Sequence, residues 1–532
     1  MTAMLHRLFG RARSGVVSPG VRAWWGHPAY AWLLILGMAI PMLWPAVVPI
    51  SDLPGHMGRY AVQLNAGHAP LLDRWYAIRW WPIGNLGVDL LMIPLGHLLG
   101  IELAAKLIVA AIPPLTAAGF LLVARETHRA LPPTAAFALP LAMGYPFHFG
   151  FVNFALSMAL AFLAFGLWLR MARLGRLRAR GLLFVPVAML VWLAHAFGWA
   201  VLGLLCFAAE LVRAHAPGRG PVRTVWHAGC ACLPLAVPLL LMLAWRSGGT
   251  GATSGFLDWY AKYGWLQSAL RDHWKPLDGD CAELLVLLVG LGAVGLFRFE
   301  PTLLAATVLL TLGYAALPQV LLGSHYADMR LAPYLFATAV LALGPRVNAR
   351  RGVSTGIAAA ALLFWAVRIG ATTASLYLHG AAYDRQLAAI DHIPIGARVY
   401  ALVAPPCERG WDGPRFDHLP SLAIVRKAAF TNDQWAEPGG QLLTVKPFLP
   451  ADFAINPSQI VRLPGCARPE PLVGDRIASF PRDRFDMVWL IGVPPAARPA
   501  DPGLRPVWQG VDGALYRIVR PLAGPPAGPP AR

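Results

Sequence analysis

Charge is scarce in this sequence. Only 14% of its 532 residues are Asp, Glu, Lys or Arg, against 57% hydrophobic residues and a mean hydropathy of +0.53. A soluble chain of this length needs more polar surface, so an assembly of soluble domains is excluded. Acids are the scarcer sign, 27 against 45 Lys and Arg, for a net charge of +18. In a soluble chain that excess would point to nucleic acid. Here no basic stripe with interleaved aromatics accompanies it, and many arginines sit between apolar stretches, where they orient a membrane protein. Nucleic acid is therefore not an expected partner.

The usual chemical motifs are missing too. Without HExxH, CxxC or carboxylates at ligand spacing, no metal site is expected, no cofactor is certain, and a divalent metal is possible but not favoured. "CAC" at 230 to 232 lies inside an apolar run and reads as core. There is no Walker lysine loop and no dinucleotide glycine pattern, so the energy of any reaction must come from an activated substrate or a gradient. The lack of an internal repeat weighs against a transporter built from duplicated halves. Arg7, Arg11, Arg13 and Arg22 precede the first apolar run, and no small-residue cleavage site follows it, so that run is expected to stay as an anchor.

What the sequence has is long hydrophobic runs. About 20 apolar residues cross a hydrocarbon core, and candidate spans cover about 30–50, 102–124, 134–147, 149–169, 181–196, 197–213, 225–245, 282–298, 301–320, 331–345 and 352–377. Residues 85–100, "NLGVDLLMIPLGHLLG", are short and broken by Pro94, and read better as a helix lying in the outer interface. With that assignment Arg125, Arg129, the arginines of 170–180 and 213–223, Arg298 and those of 346–351 all fall inside. Asp52, Asp73, Asp89, Asp258, Asp272, Asp278, Asp280 and Asp328 then fall outside. Asp272 to Asp280 read as acids that keep an outer loop soluble.

The expected architecture is an α-helical polytopic membrane protein of about eleven transmembrane helices with a small C-terminal extracytoplasmic α/β domain. A cytoplasmic tail spans 1–29, the membrane domain 30–378 with outer loops 51–101 and 246–281, the outer domain 379–520, and a Pro/Gly tail 521–532. The α/β expectation rests on short apolar runs such as "ARVYALVA" (397–404), "FDMVWLIGV" (485–493) and "ALYRIV" (514–519). Cys206, Cys230 and Cys232 lie in apolar runs. Cys407 and Cys466 lie in the polar part, where a disulfide requires a place outside the cytosol. Trp411, Trp435, Trp489 and Trp508 offer stacking surfaces for sugar rings but read first as core, and the outer domain shows no catalytic constellation of its own.

Polar residues gather where the runs end. In "VVPISDLPGHMGRYAVQL" (47–64), a helix beginning after Asp52 puts Asp52, His56 and Arg59 or Tyr60 near one face. The alternative for Asp52 is an ordinary N-cap before Leu-Pro. His148 and Asn153 in "GYPFHFGFVNFALS", His195 in "WLAHAFGW", and His325, Tyr326, Asp328 and Arg330 in "GSHYADMRLAPY" fall at other outer turns. Ionisable groups at membrane depth are costly and mark functional sites unless a structural partner holds them. Arg330, starting a span, can bind either a substrate phosphate or ordinary lipid headgroups.

With a carboxylate in the first outer loop, an interfacial helix, about eleven spans and an outer C-terminal domain, the chain resembles the GT-C superfamily of integral-membrane glycosyltransferases. "SDLPGHMGRYAVQLNAG" carries the resemblance for the acid and its helix. "NLGVDLLMIPLGHLLGIELAAKLIVAAIPPLTAAGFLLVAR" carries it for the interfacial helix and second span. The resemblance implies a multi-pass inner-membrane enzyme moving a sugar, with inversion, from a polyprenyl-phosphate-linked donor to a glycan, lipid or protein acceptor outside. Asp52 would be the general base, Arg330 and less surely Arg59 would hold the lipid phosphate, and His56 would orient Asp52 or touch the sugar. Tyr60, His148, Asn153, His195, His325 and Asp328 complete the expected substrate-binding set. Many members carry a second acid beside the first, whereas Leu53 follows Asp52 here, which leaves a metal-dependent mechanism in doubt. A carrier or flippase for lipid-linked glycans, and an acyltransferase or polymerase using His148 or His195 with Asn153, are the alternatives.

Overall fold

The structure, a computed structural model, describes residues 23–244, 251–346, 350–408, 410–436 and 440–520. The arginines of the N-terminal tail and the tail at 521–532 lie outside the described residues. Among the described residues six helices are long and apolar enough to cross a membrane: Ile101–His128, Val152–Arg173, Leu177–Ala194, Ala196–Ala214, Pro221–Leu243 and Arg351–His392. Pro28–Met42, Gly87–Leu99 and Pro301–Ala316 are apolar but shorter.

The remaining expected runs depart from simple spans for local reasons. Residues 134–147 form a 3-10 helix, Ala135–Met143, and a short helix, Tyr145–Phe149. Pro140 removes an i to i−4 bond there, and nine residues at about 2 Å rise reach roughly 18 Å, short of the hydrocarbon thickness of about 30 Å. All nine are buried, so this segment is a plug inside the bundle. The run at 282–298 belongs to the helix Lys275–Ala293, whose first turns carry Asp278, Asp280 and Glu283. Residues 331–345 begin earlier, in Ala327–Leu341.

Ile101–His128 and Val152–Arg173 lie side by side at the centre of the bundle. Arg173 donates to Glu126 at 2.7 Å where both helices end. Nearby in sequence, Arg180 donates to Glu210 at 2.7 Å and Trp168 Nε1 to the same carboxylate at 3.0 Å. The expected inner ends are thus tied by Arg-to-Glu pairs, and Asp52, Asp89 and Asn153 gather at the opposite end of these helices.

Beyond Leu387, where the last long helix ends, five strands form one sheet. Its order is Phe430–Thr431, Arg398–Val403, Met487–Ile491, Gly513–Ile518 and Leu504–Gln509. Arg398–Val403 is parallel to both neighbours, Ala401 facing Trp489, and the last two strands run antiparallel. The two central strands are covered on both faces, which is why "VYALV" and "MVWLI" are continuously apolar. Cys407 and Cys466 are joined by a disulfide.

The loop at 51–101 and this C-terminal unit are built together. Tyr76–Ile78 pairs antiparallel with Leu443–Val445, Tyr76 opposite Val445. The helix Leu53–Asn65 packs on Leu419–Ser421 and Leu422–Lys427. Gly55 and Gly58 permit that approach, since a Cβ on Gly58 would lie 2.9 Å from Ser421 Cβ and one on Gly55 2.7 Å from the Trp435 ring. Gln434 Nε2 donates to the Gly55 carbonyl at 3.0 Å.

Candidate active site

Asp52 stands at the N-cap position of Leu53–Asn65, yet its side chain makes no capping hydrogen bond. Backbone contacts hold it. Its N–H donates to the Phe149 carbonyl at 3.0 Å and that of Ser51 to the His148 carbonyl at 3.2 Å. Gly150 makes this junction possible: its φ is +97°, and a Cβ there would sit 2.5 Å from the Asp52 nitrogen. The carboxylate is left half-buried and without a helix to serve.

Two charged groups face it. Arg330, from the start of Ala327–Leu341, and Asp417, from the C-terminal unit, both act on its ionisation. Burial raises the Asp52 carboxyl well above the ordinary range, Asp417 adds to that, and Arg330 opposes it. Asp417 is pushed up to about 7 by burial, with Arg468 opposing and Glu470 reinforcing the rise. Two acids and one guanidinium therefore interact where the helices of the bundle meet the C-terminal unit. Arg330 donates to Ser324 Oγ at 2.9 Å, lies 4.2 Å over the Phe151 ring, and keeps a buried Nε without a hydrogen-bond partner.

Imidazole and indole rings gather at this junction. His56 lies 5.2 Å from Trp435 between ring centroids, and His418 is 4.0 Å from the same indole. His418 Nδ1 is 2.8 Å from the Asp433 carbonyl oxygen, and burial drops its pKa to about 4, so the ring is neutral. Burial also takes His56 well below the usual imidazole range, with Arg59 and His418 adding to the effect. The His56 backbone N–H donates to the Asp52 carbonyl at 3.0 Å, but the two side chains are not joined by a hydrogen bond among the described residues.

Several expected site residues have structural partners instead. Arg59, expected to hold phosphate, is buried and ion-paired to Asp89 at 2.9 Å, with Gln441 accepting from its other nitrogen. Its charge is neutralised, so it is removed from the phosphate-binding set. Asn153 accepts from Val88 N–H at 2.6 Å and donates to Asn85 and Asp89, fixing the start of Gly87–Leu99. Asp328 pairs with Lys262 at 3.4 Å, and that lysine donates to the Tyr314 and Leu317 carbonyls. His195 Nδ1 accepts from the Phe197 N–H at 3.1 Å and caps its helix, although the ring lies within the field of Arg330. His325 is exposed, and Tyr60 is fully buried against Arg59.

His148 and the supposed solubility acids form a second buried layer. Asp272 lies 3.7 Å from His148 and accepts from Ser375 and Arg415, each at 2.6 Å. Burial would raise its carboxyl, but His148, Arg415, Ser375 and Arg368 hold it below the ordinary range. Asp278 accepts from Arg368 and Trp411. Asp272 and Asp278 are thus network members, and only Asp280 remains exposed as expected. Arg415 joins this layer to the active site, since it also donates to the Pro49 carbonyl at 2.6 Å, just before Asp52.

The residues missed at the sequence level are Asp417, His418 and Arg415, whereas Trp435, read first as core, is a half-exposed ring. The only local signal was "RFDHLP", an acid beside a histidine in the polar C-terminal part. Nothing in its spacing connects it to Asp52. Among the described residues the three-donor group at metal-ligand spacing is His273, His379 and Asp412, apart from Asp52.

No protein-family model matches the sequence. No curated protein matches it either. Among solved structures the chain is similar to ArnT from Cupriavidus metallidurans in the apo state, at 14% identity and a TM-score of 0.45, covering 94% of this chain and 100% of that one. It is similar as well to ArnT from the same organism bound to undecaprenyl phosphate, at 14% identity and a TM-score of 0.44, covering 93% and 98% of the two chains.

Proposed function

We propose that the protein is an inverting membrane glycosyltransferase that moves a sugar from a polyprenyl-phosphate donor to a hydroxyl of an extracytoplasmic acceptor. The observation that carries this reading is the uncapped Asp52 carboxyl, on which Arg330 and Asp417, brought from two distant segments, both act. In the reaction, the acceptor oxygen attacks the anomeric carbon, the bond from that carbon to the phosphate oxygen breaks, and the phosphate leaves with the electron pair. The hydroxyl proton passes to Asp52. Arg330 stabilises the leaving phosphate by charge, and its unpartnered Nε supports that assignment.

Asp417 serves as the second acid of the pair. Its charge raises the Asp52 carboxyl while Arg330 opposes that rise, so these two groups together set how readily Asp52 takes up a proton. Trp435, His56 and His418 form the wall against which a sugar ring packs. The chain sits in the inner membrane with its N-terminus cytoplasmic and its C-terminal unit outside, a side the Cys407–Cys466 disulfide favours. Asn153 has its hydrogen-bonding capacity taken up by Val88, Asn85 and Asp89, which weighs against an acyltransferase using it with His148 or His195.

The test is mass spectrometry of envelope glycans and lipid-linked sugars in cells carrying wild type, a deletion, or Asp52→Asn at matched protein level. Deletion and Asp52→Asn are expected to remove one sugar modification while its lipid-linked donor accumulates. In vitro turnover of Asp52→Asn is expected to fall by about 10²- to 10⁴-fold with donor still bound. Wild-type behaviour of Asp52→Asn overturns the base assignment, and an unchanged profile in the deletion overturns the whole reading.

A further inference from the structure

Three separate segments bring metal-ligating side chains to one point away from Asp52. His273 lies in the outer turn before Lys275–Ala293, His379 near the end of Arg351–Leu387, and Asp412 in the loop of the C-terminal unit that leads to Asp417. Their donor atoms lie within 4.8 Å of one another. His273 Nδ1 is 3.0 Å from Asp412 Oδ1, and the two imidazole rings stand nearly perpendicular with centroids 5.1 Å apart.

Hydrogen bonding does not explain the arrangement. His273 Nδ1 and His379 Nε2 are both buried atoms without a hydrogen-bond partner, so the 3.0 Å approach to Asp412 is a contact without hydrogen-bond alignment. A His273-to-Asp412 ion pair alone would leave the His379 nitrogen unsatisfied. A cation between the three satisfies both nitrogens and the carboxylate. Two nearby guanidinium groups already have partners: Arg271 donates to the Trp411 and Gly410 carbonyls, and Arg415 to Asp272 and Pro49.

We propose that His273, His379 and Asp412 bind a divalent transition metal of the Zn²⁺ class. Two imidazole nitrogens and one carboxylate oxygen suit zinc, with metal-to-donor distances of about 2.0–2.2 Å and a fourth position open to water. Tetrahedral donors at that distance sit roughly 3.4 Å apart, so separations as long as 4.8 Å close by up to about 1.4 Å while the His273-to-Asp412 approach of 3.0 Å opens slightly. The Asp412 side chain, 45% exposed on its loop, is free to supply that movement and leaves solvent a path to the metal. The metal ties the outer loop, the last long helix and the C-terminal loop together. It thereby fixes the segment that presents Arg415 to Pro49 and Asp417 to Asp52, acting as a positioning device that takes no part in sugar transfer.

Full-length protein in detergent, stripped with chelator and dialysed against Zn²⁺ and then buffer, is to be assayed for zinc by mass spectrometry. Wild type is expected to retain stoichiometric zinc, and Asp412→Asn and His379→Gln to lose it. Proteolysis within 404–417 should slow when zinc is restored to wild type and stay fast in the variants. A second measurement needs no variant: Co²⁺ added to stripped wild type should give the intense visible bands of a tetrahedral site. Wild type that retains no more zinc than the variants, or that gives only the weak bands of hydrated Co²⁺, overturns the proposal. Because these readouts report binding, they stand or fall independently of the glycosyltransferase reading.

Discussion

Burial and pairing decide which polar residues can do chemistry. Burial and the Asp417 charge raise the Asp52 carboxyl and Arg330 lowers it, so Asp52 and Asp417 act as an interacting pair. A base must be ionised to work, so turnover should rise with pH as the pair gives up its proton, Asp417 by itself lying at about 7. Asp417→Asn removes the like charge that holds Asp52 up. The acidic limb of the pH profile of kcat/KM should then move to lower pH, and an unmoved limb would show the two acids to be uncoupled. Arg59 illustrates the opposite case, since Asp89 neutralises it in a site almost closed to solvent. Asp89→Ala leaves that guanidinium buried and unpaired, a loss of about 3–5 kcal/mol, read as a lower thermal midpoint in detergent. Arg59 was legible in the sequence as a charge at the right spacing from Asp52. That it belongs to Asp89 was not, because helical spacing reports which residues share a face and not what lies opposite.

Elements position the site through close backbone approach. The turn after Tyr145–Phe149 reaches the Asp52 backbone only because Gly150 has a positive φ and no Cβ. Gly150→Ala should cost about 1–3 kcal/mol of backbone strain and move Asp52 away from Arg330. Its expected signature is a fall in kcat larger than the rise in KM, whereas unchanged kcat would mean that Asp52 does not depend on this turn. Gly55 and Gly58 likewise give Leu53–Asn65 a flat face for Ser421 and Trp435. The helix start itself was readable from "SDLPGH", with proline in the first turn. The capping hydrogen bond is not made, and the carboxyl is acted on instead by charges that other segments deliver. The apolar run at 134–147 looked like a span by composition, but Pro140 and a 3-10 geometry make it too short for that role.

At the scale of the whole molecule, the C-terminal unit packs on the helix and loop that follow Asp52. Its strand Leu443–Val445 pairs with that loop, and Gln434 reaches Gly55 across 379 residues of sequence. The Cys407–Cys466 disulfide closes the stretch that carries Arg415 and Asp417. Replacing both cysteines by serine should cost about 2–5 kcal/mol in denaturant unfolding and lower turnover by loosening Asp417, and full activity with full stability would separate the disulfide from the site. The sequence by itself determined the apolar helices, three strands of the C-terminal sheet and the acid at the end of the first apolar run. Each depends on composition and short-range periodicity, which hydrophobic burial and backbone hydrogen bonding read locally. Only the tertiary structure decided that Asp52 faces Asp417 and Arg330, that Arg59 is neutralised by Asp89, and that Asp272 and Asp278 are buried among arginines. Those outcomes depend on desolvation and on charges brought together from distant segments, and neither quantity exists until the chain has folded.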